Sequence, residues 1–166
     1  WEKAGVFEAI WRAGLAEYDQ MEGIAWRWQS IDGAMFKAPL AQEAVGSNPT
    51  IGGKKGSKRH LLVDGRGVPL SLVVSAANVN DISGLEPVLE SMMVRRAAPP
   101  QRRSKHLCAD AGYRSHLAEQ TMQAHGYVPH IVDRRRERDT KRRHPTKKAR
   151  RWVVEGHPVA QHTGHL

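Results

Sequence analysis

The sequence predicts a mixed α/β domain in which three antiparallel strands are followed by two parallel strands, with helices alongside the sheet. Three observations indicate this class. β-rich runs alternate with helical stretches along most of the chain, two early runs are joined by a hairpin signal, and the later runs are separated by helices, which parallel strands need as crossovers. With 166 residues, the chain is long enough for one domain with its own core.

The first three strands come early in the chain. Residues 26–36 are rich in aromatic and branched side chains, which favour strands. Residues 60–63 and 70–75 are two further β-rich runs, and the Asp64-Gly65 pair between them is a strong hairpin signal. Residues 38–59 contain Pro, Gly, Ser, Asn and Lys without periodicity, so we expect a loop there.

Helices are predicted before and after these strands. Apolar residues recur at helical spacing over residues 3–19, and Gly23 follows as a stop signal. A second helix opens near Asp81, with Asp81 or Ser83 as its N-cap. Asp81 is also a further acidic candidate for a site, but its place before an apolar helix favours the capping role. Residues 117–125 form a third predicted helix.

The second half of the chain supplies the two parallel strands. Residues 107–109 are predicted as the fourth strand, which ends at Asp110, and residues 127–132 as the fifth. A basic stretch then leads to a last helix over residues 147–155, which carries Glu155.

The positive charge is concentrated in the same half. Residues 101–152 contain 15 Lys and Arg against 5 Asp and Glu, a net +10, so the rest of this +9 chain is net −1. A local basic block favours a polyanion, and nucleic acid is the commonest one. A solvated surface or a disordered basic loop is the alternative, above all for the run Arg134-Arg135-Arg136.

Three carboxylates stand out against this basic background. Asp32 and Asp110 end apolar strands, and Glu155 sits on the basic last helix. Hard cations such as Mg²⁺ prefer carboxylate oxygens, and only a fold can bring such distant residues together. Each residue also has a local alternative: a turn at Asp32-Gly33, an N-cap at Asp110, and an ion pair between Glu155 and Arg151.

The combination of elements and carboxylates resembles the DDE transposases, which have a ribonuclease H-like fold. More narrowly, it resembles the bacterial insertion sequence five group. The similarity runs from about residue 4 to residue 155. It is carried by Trp-Gln-Ser-Ile-Asp-Gly-Ala at 28–34, Lys-Arg-His-Leu-Leu-Val-Asp-Gly-Arg-Gly-Val-Pro-Leu at 58–70, His-Leu-Cys-Ala-Asp-Ala-Gly-Tyr at 106–113 and Ala-Arg-Arg-Trp-Val-Val-Glu at 149–155.

The resemblance implies that Asp32, Asp110 and Glu155 form a catalytic triad. The triad would bind two divalent ions, Mg²⁺ or Mn²⁺, for DNA strand cleavage and strand transfer. The implied partner is duplex DNA, bound by a homodimer in a DNA complex, and the implied location is the bacterial cytoplasm at the nucleoid. We expect DNA contacts from Lys54, Lys55, Lys58, Arg134, Arg135, Arg136, Arg142, Arg143, Lys147, Lys148 and Arg151.

The expected domain organisation has three parts. Residues 1–25 are the end of an N-terminal helical segment, residues 26–155 are the catalytic domain, and residues 156–166 are an aberrant, disordered tail. Gly156 and Pro158 end the last helix directly after Glu155, so the chain is expected to be a truncated or inactive copy. The alternative is a non-catalytic basic DNA-binding remnant. No apolar stretch has the length of a membrane span, and we expect no membrane association.

Overall fold

The structure is a computed structural model that describes residues 3–37, 45–47, 55–94, 104–131 and 142–143. The described helices are α1 (Val6–Met21), α2 (Asp81–Glu90) and α3 (His116–Ala124). The described strands are β1 (Trp28–Lys37), β2 (Gly46–Ser47), β3 (Lys55–Asp64), β4 (Pro69–Ala76), β5 (Lys105–Ala109) and β6 (Tyr127–Ile131). A 3₁₀ turn, Ala111–Tyr113, follows β5.

The six described strands form one mixed sheet. β1 is antiparallel to β3, and β3 is antiparallel to β4. On the other side, β1 is parallel to β5 and β5 is parallel to β6. The order across the sheet is therefore β4-β3-β1-β5-β6, and β2 pairs with the start of β3. The predicted fold class, three antiparallel strands followed by two parallel strands with flanking helices, is confirmed.

The hydrophobic core lies between the sheet and the three helices. Leu62 and Leu107 contribute from the sheet, and both are fully buried. Each helix adds apolar side chains to the same cluster: Leu15 from α1, Leu85, Val88 and Leu89 from α2, and Ala118 and Met122 from α3. Full burial of one such leucine contributes about 1.5–3 kcal/mol, so the core holds α2 firmly against β3 and β4.

The predicted loop over residues 38–59 is wrong at its C-terminal end. β3 begins at Lys55, and the short strand β2 pairs with it there. The run Lys55-Gly56-Ser57-Lys58-Arg59 has weak intrinsic strand preference, but β3 has partners on both sides, with Gly56 paired to Lys37 and Ser57 to Ala76. Tertiary pairing therefore overrides local propensity.

Several predicted segments lie outside the described residues. These are the last helix over residues 147–155, the tail over residues 156–166 and most of the basic stretch before them. The other helices and strands agree with the prediction to within a few residues at their ends, apart from the early start of β3 and the short strand β2, which the sequence did not predict.

None of the described helices is long and apolar enough to cross a membrane.

The predicted hairpin between β3 and β4 is confirmed, and its Asp64 links three pieces of chain. The carboxylate is fully buried. One oxygen accepts hydrogen bonds from the backbone N–H groups of Arg66 and Val68, each at 2.8 Å, and the other accepts from the N–H of Ala25 at 2.8 Å. Asp64 thus fixes the turn and also attaches the segment that leads from α1 into β1.

We expect Asp64→Ala to lower the free energy of unfolding by about 2–5 kcal/mol, because it leaves three backbone donors without their acceptor. Asp19→Ala is the matched control: Asp19 is exposed and accepts a single backbone hydrogen bond, from Ile24 at 2.7 Å. That change should cost about 1 kcal/mol. Urea unfolding monitored by circular dichroism measures both, and equal losses would contradict the central role of Asp64.

Candidate active site

Asp32 and Asp110 lie at the same level of two neighbouring parallel strands. The last pair in register between β1 and β5 is Ile31 with Ala109, and each aspartate is the next residue of its own chain segment. Residues in register on neighbouring strands point to the same face of a sheet, and neighbouring strands are about 4.8 Å apart. The structure therefore brings these two predicted residues together, whereas Glu155 lies outside the described residues.

Asp110 also has a local structural role, although it does not cap the following α-helix as its alternative interpretation predicted. It is the N-cap of the 3₁₀ turn, and its Oδ1 accepts a hydrogen bond from the N–H of Gly112 at 2.9 Å. The α-helix that follows has its own cap, since the Ser115 hydroxyl accepts from the N–H of Ala118 at 3.0 Å. An ionised carboxylate has about four acceptor positions, so capping this turn leaves Asp110 capable of binding a cation.

The prediction that Asp81 or Ser83 caps α2 is wrong. The N-cap is Asn80, whose side chain accepts from the N–H of Ile82 at 3.1 Å, and Asp81 is the first helical residue. Asn is as good a cap as Asp, so Asn80, one position earlier, gives an equally strong cap signal in the sequence. The Asp81 carboxylate is consequently not used for capping, and it points towards the residues around Asp32 and Asp110.

Two glycines make room for the Asp81 carboxylate. A Cβ atom on Gly33 would lie 2.6 Å from its Oδ1, and a Cβ atom on Gly112 would lie 2.7 Å from its Oδ2. The same position on Gly112 is 3.0 Å from Oδ1 of Asp110, so these two carboxylate oxygens are less than about 6 Å apart. Gly33 and Gly112 therefore lack side chains at the two positions where one would collide with Asp81. No single segment of the sequence reveals this, because the three residues come from separate segments.

Lys58 holds Asp81 in this position. Its Nζ is 3.0 Å from Oδ1 of Asp81 and donates a hydrogen bond to the carbonyl of Val79 at 2.6 Å. The Lys58 ammonium is close to Asp81 Oδ1, but the angles there are not those of a hydrogen bond. The contact is therefore an ion pair. The Lys58 side chain is only 9% exposed. The predicted loop position of Lys58 is therefore wrong, because Lys58 is a buried residue of β3 whose charge is paired. Its contact with DNA stays a prediction.

The other basic residues of the prediction divide into two groups. Lys55, Arg142 and Arg143 are exposed, although Lys55 belongs to a strand rather than to a loop. Lys54, Arg134, Arg135, Arg136, Lys147, Lys148 and Arg151 lie outside the described residues.

The packing of α2 on β3 determines where Asp81 lies. Gly84 of α2 sits directly on the ring of His60, so that a Cβ atom there would come within 2.5 Å of the ring. His60 is buried, its Nε2 is 2.9 Å from the Ser75 hydroxyl, and burial lowers its pKa from the ordinary value. A neutral, packed His60 thus lets α2 approach the sheet closely. Lys58 is two residues away on β3, so its side chain lies on the same face of the sheet as His60.

Tyr113 packs beneath Gly33, next to this site. Its side chain is fully buried, and within the described part of the chain its hydroxyl has no hydrogen-bond partner. Burial raises the pKa of Tyr113, and the carboxylates of Asp81, Asp32 and Asp110 raise it further, so the phenol is neutral. The hydroxyl lies beside Asp81, since both are close to the position of a Cβ atom on Gly33. Sequence reasoning did not identify Tyr113.

The donor chemistry fits a hard divalent cation. Asp32 and Asp110 present carboxylate oxygens side by side, with a neutral hydroxyl donor below them, and Mg²⁺ is bound in proteins through one or two carboxylates and retained water. Within the described ranges, no group of three or more His, Cys, Asp or Glu side chains has the geometry of a metal site. Glu155, the predicted third carboxylate, lies outside the described residues.

A comparison with protein families identifies the domain. The family model described as the transposase DDE domain matches residues 29–157, which is most of the chain. The chain belongs to this family. The matched range includes Asp32, Asp110 and Glu155. The resemblance to DDE transposases is thereby confirmed, whereas the narrower resemblance to the insertion sequence five group stays a prediction.

Individual DDE transposases are also similar. The chain is 34% identical over 114 residues to a Burkholderia cepacia protein described as a transposase for insertion sequence element IS402. The match covers 67% of this chain and 51% of that protein, so the chain spans about half of its relative. Among solved structures, the Mos1 mariner transposase catalytic domain is similar at 9% identity, with a TM-score of 0.42. The match covers 90% of this chain and 84% of that chain. A Mos1 mariner paired end complex with Mn is similar at 9% identity, with a TM-score of 0.42. That match covers 90% of this chain and 56% of the Mos1 chain.

We expect Gly33→Ala to disturb this DDE transposase site without straining the backbone. The new methyl group would overlap Asp81 Oδ1, so the carboxylate must move, and the free energy of unfolding should fall by about 1–3 kcal/mol. Gly14→Ala on α1 is the control, since a Cβ atom there meets nothing within 4 Å. It should stabilise the chain by about 0.5–1 kcal/mol. Thermal unfolding of both variants checks this, and a stabilising Gly33→Ala would contradict the close approach of Asp81.

Proposed function

We propose that this chain is the catalytic domain of an insertion-sequence transposase, which cleaves DNA strands and transfers them to a target. The observation that carries the proposal is the position of Asp32 and Asp110, each directly after the last registered pair of β1 and β5. Membership of the DDE transposase family supports it. Glu155 is proposed as the third member of the triad.

Asp32, Asp110 and Glu155 would hold the divalent ions, and we propose two ions, Mg²⁺ or Mn²⁺. When bound, such ions act as Lewis acids that stabilise charge on the phosphoryl oxygens during in-line displacement at phosphorus. The residues of this chain contribute fixed carboxylates on two paired strands, so the donors need little reorganisation on binding. The attacking oxygen would come from water in cleavage and from a DNA 3′-hydroxyl in strand transfer.

Duplex DNA is the proposed partner, because the positive charge of the second half of the chain favours a polyanion. The net +10 of residues 101–152 lies in the same half of the chain as Asp110, and exposed Arg142 and Arg143 belong to it. An insertion element has two ends to be cut and joined, so we also propose that two copies of the chain act together in one DNA complex, at the bacterial nucleoid.

The catalytic proposal is tested by nicking of supercoiled plasmid with Mn²⁺. Gly156 and Pro158 disfavour helix directly after Glu155, so we expect slow nicking by the native chain. Nicking should be at least about tenfold faster in a Gly156→Ala/Pro158→Ala variant, in which Glu155 would be supported by continued helix.

The matched controls are Asp32→Asn and Asp110→Asn in the same background. Each keeps the shape of the side chain but removes a charge that holds the ions, and each should lower the nicking rate by at least about 100-fold. Nicking that persists in both would contradict the assigned site. If the repaired variant binds DNA but does not nick it, the chain is the non-catalytic DNA-binding remnant instead.

The DNA-binding proposal predicts a strong dependence on salt. Each phosphate contact contributes about 0.9 to the slope of log affinity against log salt, so replacing Arg134, Arg135 and Arg136 by Ala should lower the slope by up to about 2.7. Fluorescence anisotropy with a labelled duplex of arbitrary sequence measures it. Arg12→Ala, on α1 and outside the basic segment, is the control and should leave the slope unchanged. An unaltered slope in the triple variant would mean that the run is only solvated surface.

A further inference from the structure

We propose that the Lys58–Asp81 ion pair sets the net charge beside Asp32 and Asp110, and thereby determines how tightly these two residues bind a divalent cation. Lys58 and Asp81 act as positioning residues in this account, because neither is required to touch the ion or the DNA. The inference rests on the proposed metal site at Asp32 and Asp110, and the experiment below separates the failure of one from the failure of the other.

The first observation is the closeness of Asp81 to the proposed site. A single point, the position of a Cβ atom on Gly112, is 2.7 Å from Asp81 Oδ2 and 3.0 Å from Asp110 Oδ1. The carboxylates of Asp81 and Asp110 are therefore neighbours, although one belongs to the first turn of α2 and the other follows β5. At such a separation in a partly buried environment, a unit charge on Asp81 changes the potential at Asp110 substantially.

The second observation is the Tyr113 hydroxyl, which the proposed triad does not use. The side chain is 0% exposed. The position that a Cβ atom on Gly33 would occupy is 3.5 Å from the Tyr113 hydroxyl and 2.6 Å from Asp81 Oδ1. Buried hydroxyls nearly always have a hydrogen-bond partner, whereas within the described residues this one has none. A buried hydroxyl beside Asp81 that has no partner among the described residues fits a site that takes up a hydrated cation.

The third observation is that the countercharge is fixed. The Lys58 ammonium is held between the Asp81 carboxylate and the carbonyl of Val79, and its stem lies along β3 with little exposure. The side chain is only 9% exposed, and the Gly84–His60 contact packs α2 closely on β3. The pair therefore places one positive and one negative charge permanently next to the site.

The two charges act in opposite directions on a bound cation, so loss of Asp81 and loss of Lys58 should change cation affinity in opposite directions. Without Asp81, the Lys58 ammonium would face Asp32 and Asp110 alone and would compete with a divalent cation for them. Without Lys58, the Asp81 carboxylate would add an uncompensated negative charge and would attract the cation. If the pair served only to attach α2 to β3, loss of either partner would disturb the site in the same direction.

The test is Mn²⁺ binding by the full chain, measured from the free Mn²⁺ signal in electron paramagnetic resonance and without DNA. Asp81→Asn should weaken binding at least about fivefold, and Lys58→Met should strengthen it at least about threefold. The double variant Lys58→Met/Asp81→Asn, which leaves neither charge unpaired, should bind within about twofold of the native chain. Weakening by both single variants, or no change in either, overturns the proposal.

Two controls make the result specific. Glu22→Gln removes a carboxylate of the same charge from the exposed Arg66–Glu22 pair, whose charged atoms are 3.9 Å apart, and it should leave Mn²⁺ affinity within about twofold. Urea unfolding verifies that each variant is folded. Lys58→Gln replaces Lys58→Met if the latter shows no cooperative transition, with the same expected direction.

Asp32→Asn in the same titration separates the two proposals. It should abolish the binding of Mn²⁺, since it removes a proposed ligand. If Mn²⁺ binding is independent of Asp32, the proposed metal site and this inference both fail. If Asp32→Asn abolishes binding while the Lys58 and Asp81 variants match the native chain, only this inference fails.

Discussion

The parallel pairing of β1 with β5 is the interaction on which the rest of the site depends. These strands are separated by some 70 residues of sequence, and their backbone pairing, with Ile31, Leu107 and Ala109 in the core, determines which residues meet. The register ends at Ile31 and Ala109, so Asp32, which continues β1, and Asp110, which directly follows β5, lie side by side. A shift by one residue would turn one of the two side chains to the opposite face, and no shared cation site could then form.

Around this pairing, small residues allow close approach of the other elements. Gly84 lets α2 pack closely on His60, which brings Asp81 near Asp32 of β1 and Asp110 after β5, and Gly33 and Gly112 leave space for its carboxylate. Lys58 then pairs with Asp81, so the packing of one helix decides the charge near two strands. Fold and electrostatics are connected here through three glycines and one ion pair.

Much of this could be predicted from the sequence, because its signals are local. The run of apolar residues ending at Asp110, the Asp64-Gly65 hairpin and the alternation of strands with helices each lie within a few consecutive residues. The Lys58–Asp81 pair could not be predicted, since it joins a strand of weak propensity to a helix 23 residues later, and Asp81 by itself resembles a cap. Tyr113 could not be assigned either, because its surroundings come from three separate segments.

The central claim is that Asp32 and Asp110 share one divalent cation, and the anomalous scattering of Mn²⁺ in crystals of the full chain tests it most directly. We predict a peak in the anomalous difference map between the carboxylates of Asp32 and Asp110, with oxygen distances of about 2.0–2.3 Å, as expected for a hard cation with carboxylate ligands. A peak bound only to other residues, or carboxylates of Asp32 and Asp110 that stay more than about 10 Å apart, would contradict the account.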